Sequence, residues 1–213
     1  MMESEEEVKK VWEQLTDGGF VFMPLGKYDW SALYGWVQDK YGISWQIAFG
    51  KLSDVHGQKF VTTWMFCGEQ QGKAEEAVNF YVSLFQNTKI EGIMKYPEGE
   101  VAGQVVHAQF KLNDIAFAAM DSGVPQPFTF SEGISQVIEC DTQEEIDHYW
   151  DAFAKGGKES MCGWVQDKFG VSWQVVPSIL GELMSDPANA IKASEACMKM
   201  KKFDIADLKK ATE

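Results

Sequence analysis

The chain has 213 residues, with 19 Lys and Arg against 32 Asp and Glu, which gives a formal net charge of -13 at pH 7. Nucleic acids and anionic membranes are bound through basic surfaces, so this charge argues against both as partners. The composition, 45% hydrophobic with eight Trp and fourteen Phe, supplies a sizeable core, and no apolar run approaches the roughly 20 residues that a membrane helix needs.

The first predicted element is an amphipathic helix. Its start, MMESEEEVKK, is acidic where a signal peptide is basic and then apolar, so we expect a cytoplasmic protein. Ser4 and Glu7 have the spacing of a capping box, and the pair Gly18-Gly19 is suited to the helix end. The apolar face is formed by Val8, Val11, Trp12 and Leu15.

A motif that follows this helix occurs twice in the chain. GWVQDKYGISWQI, from Gly35 to Ile47, returns as GWVQDKFGVSWQV, from Gly163 to Val175, with 10 of 13 positions identical. Each copy is typical of a β-hairpin whose turn ends on a glycine. The helix upstream is also repeated, beginning at Ser4 in one copy and at Thr142 in the other. The duplication therefore predicts a repeated supersecondary module.

The middle of the chain has the pattern of a complete module. A strand, a helix and three further strands are predicted in order, with the last two joined by a turn at Asn113-Asp114. The predicted elements are Lys59–Cys67, Ala74–Phe85, Lys89–Lys95, Gly103–Leu112 and Ile115–Met120.

The same order of elements follows once more. A strand over Gly133–Cys140, the helix that Thr142 caps, a strand near Ser160 and the second motif hairpin complete it. We therefore predict two βαβββ modules, at 57–124 and 130–180 within 57–180. Residues 1–52 form an incomplete αβββ module that repeats 139–180 and lacks a first strand.

The segment 181–213 is predicted to be a helical C-terminal tail that docks on the rest of the chain. One helix is expected to begin near Pro187 and to run to Lys202, and a short helical turn to follow from Asp204. The stripe predicted to pack is formed by Ile191, Ser194, Cys197 and Met198, followed by Ile205 and Leu208.

The four cysteines are predicted to be buried free thiols. They are widely spaced and include no CxxC pair, which favours neither a zinc site nor a disulfide framework. They are Cys67, Cys140, Cys162 and Cys197.

Several segments together resemble a known family. FVTTWMFCGE, GKAEEAVNFYVSLFQNTKI, ISQVIECDTQEEIDHYWDAFAKGG, CGWVQDKFGVSWQVVP and KASEACMKMKKFDIADLKKA are similar to the PhnB-like family, often labelled 3-demethylubiquinone-9 3-methyltransferase. This family belongs to the vicinal oxygen chelate superfamily, which includes glyoxalases and bleomycin-resistance proteins. The resemblance implies an α+β fold in which paired βαβββ modules form a cupped, mixed eight-stranded sheet with helices outside and a ligand site inside.

Strand alternation indicates which side chains could line the cup. If Trp173 packs on the helix, Gln174 faces inward. The resemblance places Gln174 where metal-dependent relatives carry a carboxylate, and Gln136 near where they often carry a histidine. An amide oxygen is a weak ligand for a transition metal.

Among the histidines, His107 is the one placed to matter, with Asp121 as the nearest candidate second ligand. Trp64 and Trp164 could stack on a flat ligand. The predicted ligand-binding set is Trp64, His107, Asp121, Gln136, Trp164 and Gln174. No catalytic residue, cofactor or metal ligand set is predicted, although a divalent metal remains open.

Four functions stay open. The first is a small-molecule binding protein of the resistance or sequestration kind. The others are a metal-dependent lyase, isomerase or dioxygenase, a structural or regulatory homo-oligomer, and the methyltransferase of the family label. Usual methyltransferases of that kind bind S-adenosylmethionine on a doubly wound sheet with a glycine-rich turn, and the sequence has neither feature. An incomplete module leaves an unpaired strand edge, so we also expect a homodimer.

Overall fold

The computed structural model describes residues 1–212, and the chain divides into two compact units. Unit 1 consists of Met1–Thr63, Asn87–Gly92 and Gln109–Ala118. Unit 2 consists of Trp64–Gln86, Ile93–Ala108 and the chain from Ala119 onward. The predicted module at 57–124 therefore contributes residues to both units.

The helices and strands alternate along the chain much as the repeats predict. The helices are α1 Glu5–Thr16, α2 Ala74–Leu84, α3 Gln143–Ala154, α4 Leu180–Ser185, α5 Ala190–Cys197 and α6 Ile205–Thr212. The strands are β1 Phe20–Tyr28, β2 Ser31–Gln38, β3 Ser44–Ala48, β4 Thr62–Phe66, β5 Lys89–Lys95, β6 Val105–Leu112, β7 Ile115–Asp121, β8 Ser135–Cys140, β9 Lys158–Glu159, β10 Trp164–Gln166 and β11 Ser172–Pro177.

The strands form three sheets. The N-terminal sheet has the order β1-β2-β3, and the other two have the orders β4-β7-β6-β5 and β8-β11-β10-β9. In both four-stranded sheets the first strand of a βαβββ set is hydrogen-bonded to the last one. The predicted α+β class with paired βαβββ modules is confirmed, and its eight strands are hydrogen-bonded as two sheets of four.

The turn between β6 and β7 is the predicted two-residue hairpin loop. Asn113 and Asp114 have φ of 48° and 63°. Positive φ at both central residues is the geometry of a type I′ turn, whose twist matches that of the flanking strands. Asn and Asp tolerate this left-handed region, which explains why the sequence signal was readable.

In unit 1, helix α1 covers one face of the N-terminal sheet. The Ser4 hydroxyl accepts the Glu7 N–H at 3.3 Å, which confirms the predicted cap. Val8 and Ile47 are buried in the same cluster. The ten residues by which this copy is longer than its repeat lie in the β1–β2 hairpin, and β1 was predicted only as a member of the αβββ module, without bounds.

In unit 2, the core is built around Trp173 of β11. The ring of Phe153, on α3, stacks on it with centroids 4.4 Å apart and 12° between the planes. Tyr81 and Trp64 approach the same indole at 5.4 and 5.8 Å. Large aromatic side chains dominate core energetics, so this cluster explains why the motif tryptophan packs on a helix.

The tail is helical, but only part of the predicted stripe packs against the protein. In α5 the buried residues are Ala193, Ala196 and Cys197, whereas Ile191 and Met198 are exposed. The predicted stripe was therefore right at Cys197 and wrong at Ile191, Ser194 and Met198, because α5 presents its small residues to the protein. Phe203 and Leu208, further along, are fully buried, and all four cysteines are free. No helix among residues 1–212 is long and apolar enough to cross a membrane.

Candidate functional site

The open face of the second four-stranded sheet carries a row of polar side chains. Trp164 pairs with Gln174 and Gln166 pairs with Ser172 across β10 and β11, so these four residues share one face. Trp173, between them, points the other way and packs on α3. The helix-free face is therefore the face on which a ligand can be bound.

A small cavity lies on this face. Its volume is about 60 Å³, enough for a few water molecules or one polar group. Its lining residues are Glu132, Lys158, Ser160, Trp164, Val165, Gln166 and Ser172. Of these, only Trp164 was among the predicted site residues.

The Ser172 hydroxyl is the unusual group in the cavity. Ser172 is 2% exposed, and its Oγ has no hydrogen-bond partner within the described chain. A buried hydroxyl without a partner costs about 1–3 kcal/mol, and each such group in a native protein calls for an explanation. A polar group of a ligand, or an ordered water, would supply the partner.

The N-terminal copy of the motif shows the same two residues in another arrangement. There the Trp36 Nε1–H donates to the Ser44 Oγ at 2.7 Å. In the C-terminal copy the equivalent Trp164 lines the cavity and leaves Ser172 Oγ unpartnered. The difference comes from the surroundings of the hairpin, because the residues themselves are identical.

The two predicted glutamines lie on opposite faces. Gln174 is on the open face, as expected, and its Nε2 donates to the Ser135 Oγ at 2.8 Å. Gln136 is aligned with Trp173 in the parallel pairing of β8 and β11, so it lies on the helix side. Gln136, predicted to bind a ligand together with Gln174, therefore lies on the opposite face of the sheet, because the parallel register matches Val137 to Gln174.

Asp121 has an architectural position. It is 1% exposed, and its Oδ1 accepts the Ala74 N–H at 3.2 Å, at the start of α2. Its Oδ2 accepts the Val105 N–H at 2.9 Å, at the start of β6. Both oxygens are used by the backbone, and Asp121 stabilises the joint between a helix and a strand.

Trp64 and His107 lie outside the cavity. Trp64 is 5% exposed and belongs to the core around Trp173. His107 lies on β6 and is exposed by surface area. Neighbouring protein nevertheless desolvates the ring in part and lowers the pKa of His107. Neither residue is among those that line the cavity with Trp164.

The predicted set does not fit a metal ion. Within residues 1–212, no three His, Cys, Asp or Glu side chains gather where they could share one. Asp121 directs both oxygens to backbone N–H groups, and Gln174 donates to a serine. Metal sites need several convergent ligands, and these residues are not convergent.

The sequence analysis did not identify most of the residues that line the cavity, and it also did not identify Asp167, which lies outside the lining. The Asp167 carboxylate is 3% exposed and accepts from Tyr81 Oη at 2.7 Å and from Trp173 Nε1 at 2.8 Å. Burial raises the pKa of Asp167 above its ordinary value, although these donors oppose the shift. The signal was present in the motif, since an aspartate at the start of a turn accepts hydrogen bonds from the backbone N–H groups that follow it.

The chain is similar to proteins of one family. A sequence profile described as 3-demethylubiquinone-9 3-methyltransferase matches residues 1–48 and 58–176. A PhnB protein structure from Bacillus cereus shares 41% sequence identity at a TM-score of 0.53, covering 57% of this chain and 100% of that one.

Two other solved structures are similar at lower identity. Protein PA1353 from Pseudomonas aeruginosa has 23% identity and a TM-score of 0.49, covering 56% of this chain and 97% of that one. The fosfomycin resistance protein FosX from Mesorhizobium loti has 12% identity and a TM-score of 0.41, covering 61% and 98%. No curated protein matches the sequence.

Proposed function

The chain belongs to the PhnB-like family described as 3-demethylubiquinone-9 3-methyltransferase, and from this premise we propose that it binds a small molecule on the open face of the β8-β11-β10-β9 sheet. The observation that carries the proposal is the unpartnered Ser172 hydroxyl in the cavity beside Trp164. A hydroxyl can donate one hydrogen bond and accept two, so a polar ligand group would relieve its burial cost.

The lining residues indicate the chemistry of the ligand. Lys158 offers a positive charge and Glu132 a negative one, while Ser160 and Gln166 offer neutral hydrogen-bonding groups. Trp164 offers a flat apolar surface. This combination fits a small molecule with one hydrogen-bonding end, such as a carboxylate, phosphate or amide, and an adjoining apolar body.

The size of the cavity limits what enters it. Pockets that bury a drug-sized ligand usually measure about 300–1,000 Å³, well above the 60 Å³ found beside Ser172. Only the polar end of a ligand would lie in the cavity, and its body would rest on the exposed part of the sheet. A whole S-adenosylmethionine is too large for this volume, so the site gives the methyl transfer in the family description no support.

The same small volume favours a second candidate function. A structural or regulatory protein needs no ligand, and its open sheet face can be filled by side chains. The two candidates differ in what Ser172 does, because a purely structural Ser172 would bind nothing and would only cost stability.

The test is a titration followed through the tryptophan indole signals by ¹⁵N NMR. The probes are acetate, inorganic phosphate and acetamide, and Trp164→Phe assigns the signal of interest. We expect one probe to shift the Trp164 signal of the unmodified chain. Ser172→Ala should weaken the binding of that probe by about threefold to tenfold, which corresponds to the loss of one hydrogen bond.

Ser44→Ala is the matched control, because Ser44 is the equivalent residue of the other copy and bonds to its own tryptophan. It should leave the titration unchanged. Equal binding by the unmodified chain and Ser172→Ala, or no response to any of the three probes, would sink the binding proposal and favour the structural alternative.

A further inference from the structure

One cysteine of this chain differs from the other three in its surroundings. Three of the four are buried, whereas Cys162 is half-buried. It lies in the tight turn between β9 and β10, where the Trp164 N–H donates to the Met161 carbonyl at 3.2 Å. Its φ is 57°, a left-handed value that a residue other than glycine keeps only where the surrounding structure holds it. The position of the Cys162 thiol is therefore set by packing around the turn.

The C-terminal tail supplies this packing within unit 2. The Cys162 N–H donates to the Met200 carbonyl and the Gly163 N–H to the Lys201 carbonyl, both at 2.8 Å. The Phe203 ring, 2% exposed, lies so close to the turn that a Cβ at Gly163 would be 2.7 Å from it. Two backbone hydrogen bonds and one buried ring therefore fix the turn against the tail.

The same contact brings a second cysteine beside the first. The Cys162 thiol donates to the Cys197 carbonyl oxygen, which lies 3.4 Å from Sγ, although the two residues are 35 positions apart in the chain. Cys197 is the last residue of α5 and is buried. A residue's carbonyl and its side chain are attached to the same Cα, so the two cysteines are direct neighbours. Burial raises the pKa of Cys197, and the nearby Cys162 raises it further.

We propose that Cys162 and Cys197 are an oxidisable pair that forms a reversible disulfide when the protein meets hydrogen peroxide. The Cys162 sulfur, having lost its proton, attacks the peroxide, so that an S–O bond forms, the O–O bond breaks and one water leaves. The Cys197 sulfur then attacks the resulting sulfenic acid, an S–S bond forms, and the oxygen leaves as a second water with the Cys197 proton. In sum, two thiols are oxidised and one peroxide is reduced to two waters.

Exposure assigns the order of the two steps. Oxidants reach the half-buried Cys162 first, and the buried Cys197 then acts as the resolving thiol. The other two cysteines, Cys67 and Cys140, are each 1% exposed. Burial raises the pKa of both, that of Cys140 to about 12, which keeps them as unreactive thiols. Oxidation should therefore be selective for one pair.

The disulfide would tie the tail to one wall of the cavity. Ser160 and Trp164, on either side of Cys162, both line that cavity. The cross-link converts a contact made by hydrogen bonds and packing into a covalent one, and a thiol reductant reverses it. In a reducing compartment such a bond is transient and reports oxidation. It forms whether or not a ligand binds beside Ser172, so its test is separate from that of ligand binding.

The experiment maps the cross-link in the complete, folded chain. The protein is treated with hydrogen peroxide, the remaining thiols are alkylated, and trypsin releases the peptides 159–168 and 193–199, which carry one cysteine each. Mass spectrometry should find the two peptides joined, lighter than their sum by the two hydrogens lost, and separated again by dithiothreitol. We expect this link to be at least about tenfold more abundant than any link to Cys67 or Cys140, because those thiols are buried.

Two variants and a second measurement sharpen the result. Cys162→Ser should abolish the link, whereas replacing Cys67 and Cys140 together by alanine should preserve it. Hydrogen exchange of the tail segment 197–203 should slow at least about threefold when the unmodified chain is oxidised, because the cross-link hinders local opening. The Cys162→Ser protein should show no such change under the same treatment.

Several results would overturn the proposal. One is a Cys162 thiol that peroxide leaves unreacted, or that it converts to sulfinic acid while Cys197 can still be alkylated, since the two thiols then do not meet. Another is a link that forms faster in urea than in the folded chain, since the fold then does not bring the pair together. The last is a Cys162 disulfide to a second copy of the chain, seen as a dimer on a non-reducing gel.

Discussion

Asp39 and Asp167 accept equivalent hydrogen bonds in the two copies of the motif hairpin, and yet their pKa values shift in opposite directions. The hydrogen bond from Trp45 lowers the pKa of Asp39, which lies at the surface. Burial raises the pKa of Asp167, which lies under α2. Desolvation opposes the charged form of a carboxyl group, and hydrogen bonds favour it. The covering helix, not the local sequence, decides which effect wins.

Tyr81→Phe should reveal what the buried hydrogen bond to Asp167 contributes. The substitution removes a donor to a buried carboxylate, and such bonds are worth about 1.5–3 kcal/mol. We expect the free energy of unfolding in urea at pH 7 to fall by about that amount. Tyr28→Phe is the control, since its hydroxyl donates to the Pro24 carbonyl at an exposed site, and it should change stability by less than about 0.5 kcal/mol.

The penalty for Tyr81→Phe should also depend on pH. The folded pKa of Asp167 is raised, so its ionisation costs stability as the pH rises from the unfolded pKa through the folded one. Removing the Tyr81 donor raises that pKa further. Repeating the urea series near pH 4 should give a smaller penalty than at pH 7. An equal penalty at both values would show that the lost bond is not to a carboxylate.

Replacing the motif serine with alanine should have opposite effects on protein stability in the two copies of the hairpin. Ser172→Ala removes a buried hydroxyl that has no partner, so we expect the protein to gain about 1 kcal/mol. Ser44→Ala removes the acceptor of Trp36 and should cost about 0.5–1 kcal/mol. Thermal or urea unfolding of both variants measures the signs. A loss of stability with Ser172→Ala would mean that a water already satisfies the hydroxyl.

At the scale of elements, the sequence predicted correctly those helix starts and turns that depend on neighbouring residues in the chain. The capping serine and threonine, Asn113-Asp114 and the motif hairpins all lie where the sequence placed them. Each of these depends on residues within a few positions, such as a side-chain cap or a left-handed turn. The pattern of the chain was enough for the fold class.

Features set by distant partners were beyond local reasoning. Gln136 faces the helix because the parallel register with β11 puts it beside Trp173, and no residue near Gln136 encodes that register. Trp64 was predicted to meet a ligand and instead packs in the core against Tyr81. The cavity at Ser172 depends on the orientation of the Trp164 side chain in the C-terminal copy of the hairpin.

The glycine between each repeated helix and the strand that follows it has no room for a side chain. A Cβ at Gly157 would lie 2.2 Å from the Gln166 carbonyl oxygen and 2.3 Å from that of Phe153. Gly19, its repeat, would meet two carbonyl oxygens at 2.5 and 2.6 Å. Backbone atoms cannot move aside easily, so Gly157→Ala should cost about 1–3 kcal/mol or more.

Gly181→Ala provides the control for this substitution. Gly181 lies in α4 with nothing within 4 Å of its added Cβ. Alanine is favoured over glycine in a helix by about 0.5–1 kcal/mol, so this variant should be neutral or slightly more stable. Unfolding curves for the two variants should therefore separate clearly, and a neutral Gly157→Ala would contradict the close approach of the backbone.

For the whole molecule, one family accounts for both parts of the duplication. The family profile matches residues 1–48 as well as 58–176. The Bacillus cereus relative is covered over its full length by 57% of this chain. The additional N-terminal module is therefore family sequence, and the homodimer expected from its open edge stays a prediction that light scattering would test.

The net charge of -13 should make the folded state sensitive to salt. Like charges confined to a compact protein repel one another, and salt screens this repulsion over a Debye length of about 10 Å at 0.1 M. The surface ion pairs act in the opposite sense, but exposed pairs are worth only about 0–1 kcal/mol each. Repulsion should therefore dominate, and the melting temperature at pH 7 should rise as NaCl is added from low ionic strength.

A matched measurement separates this screening from specific ion binding. KCl should have the same effect as NaCl, and the effect should vanish near the isoelectric point of about 4.7, where the net charge disappears. If salt instead lowers the melting temperature at pH 7, then pairs such as Lys95–Glu75, at 2.7 Å, outweigh the net repulsion. In that case Glu75→Gln should remove part of the salt dependence, because screening acts on the pair only while both charges are present.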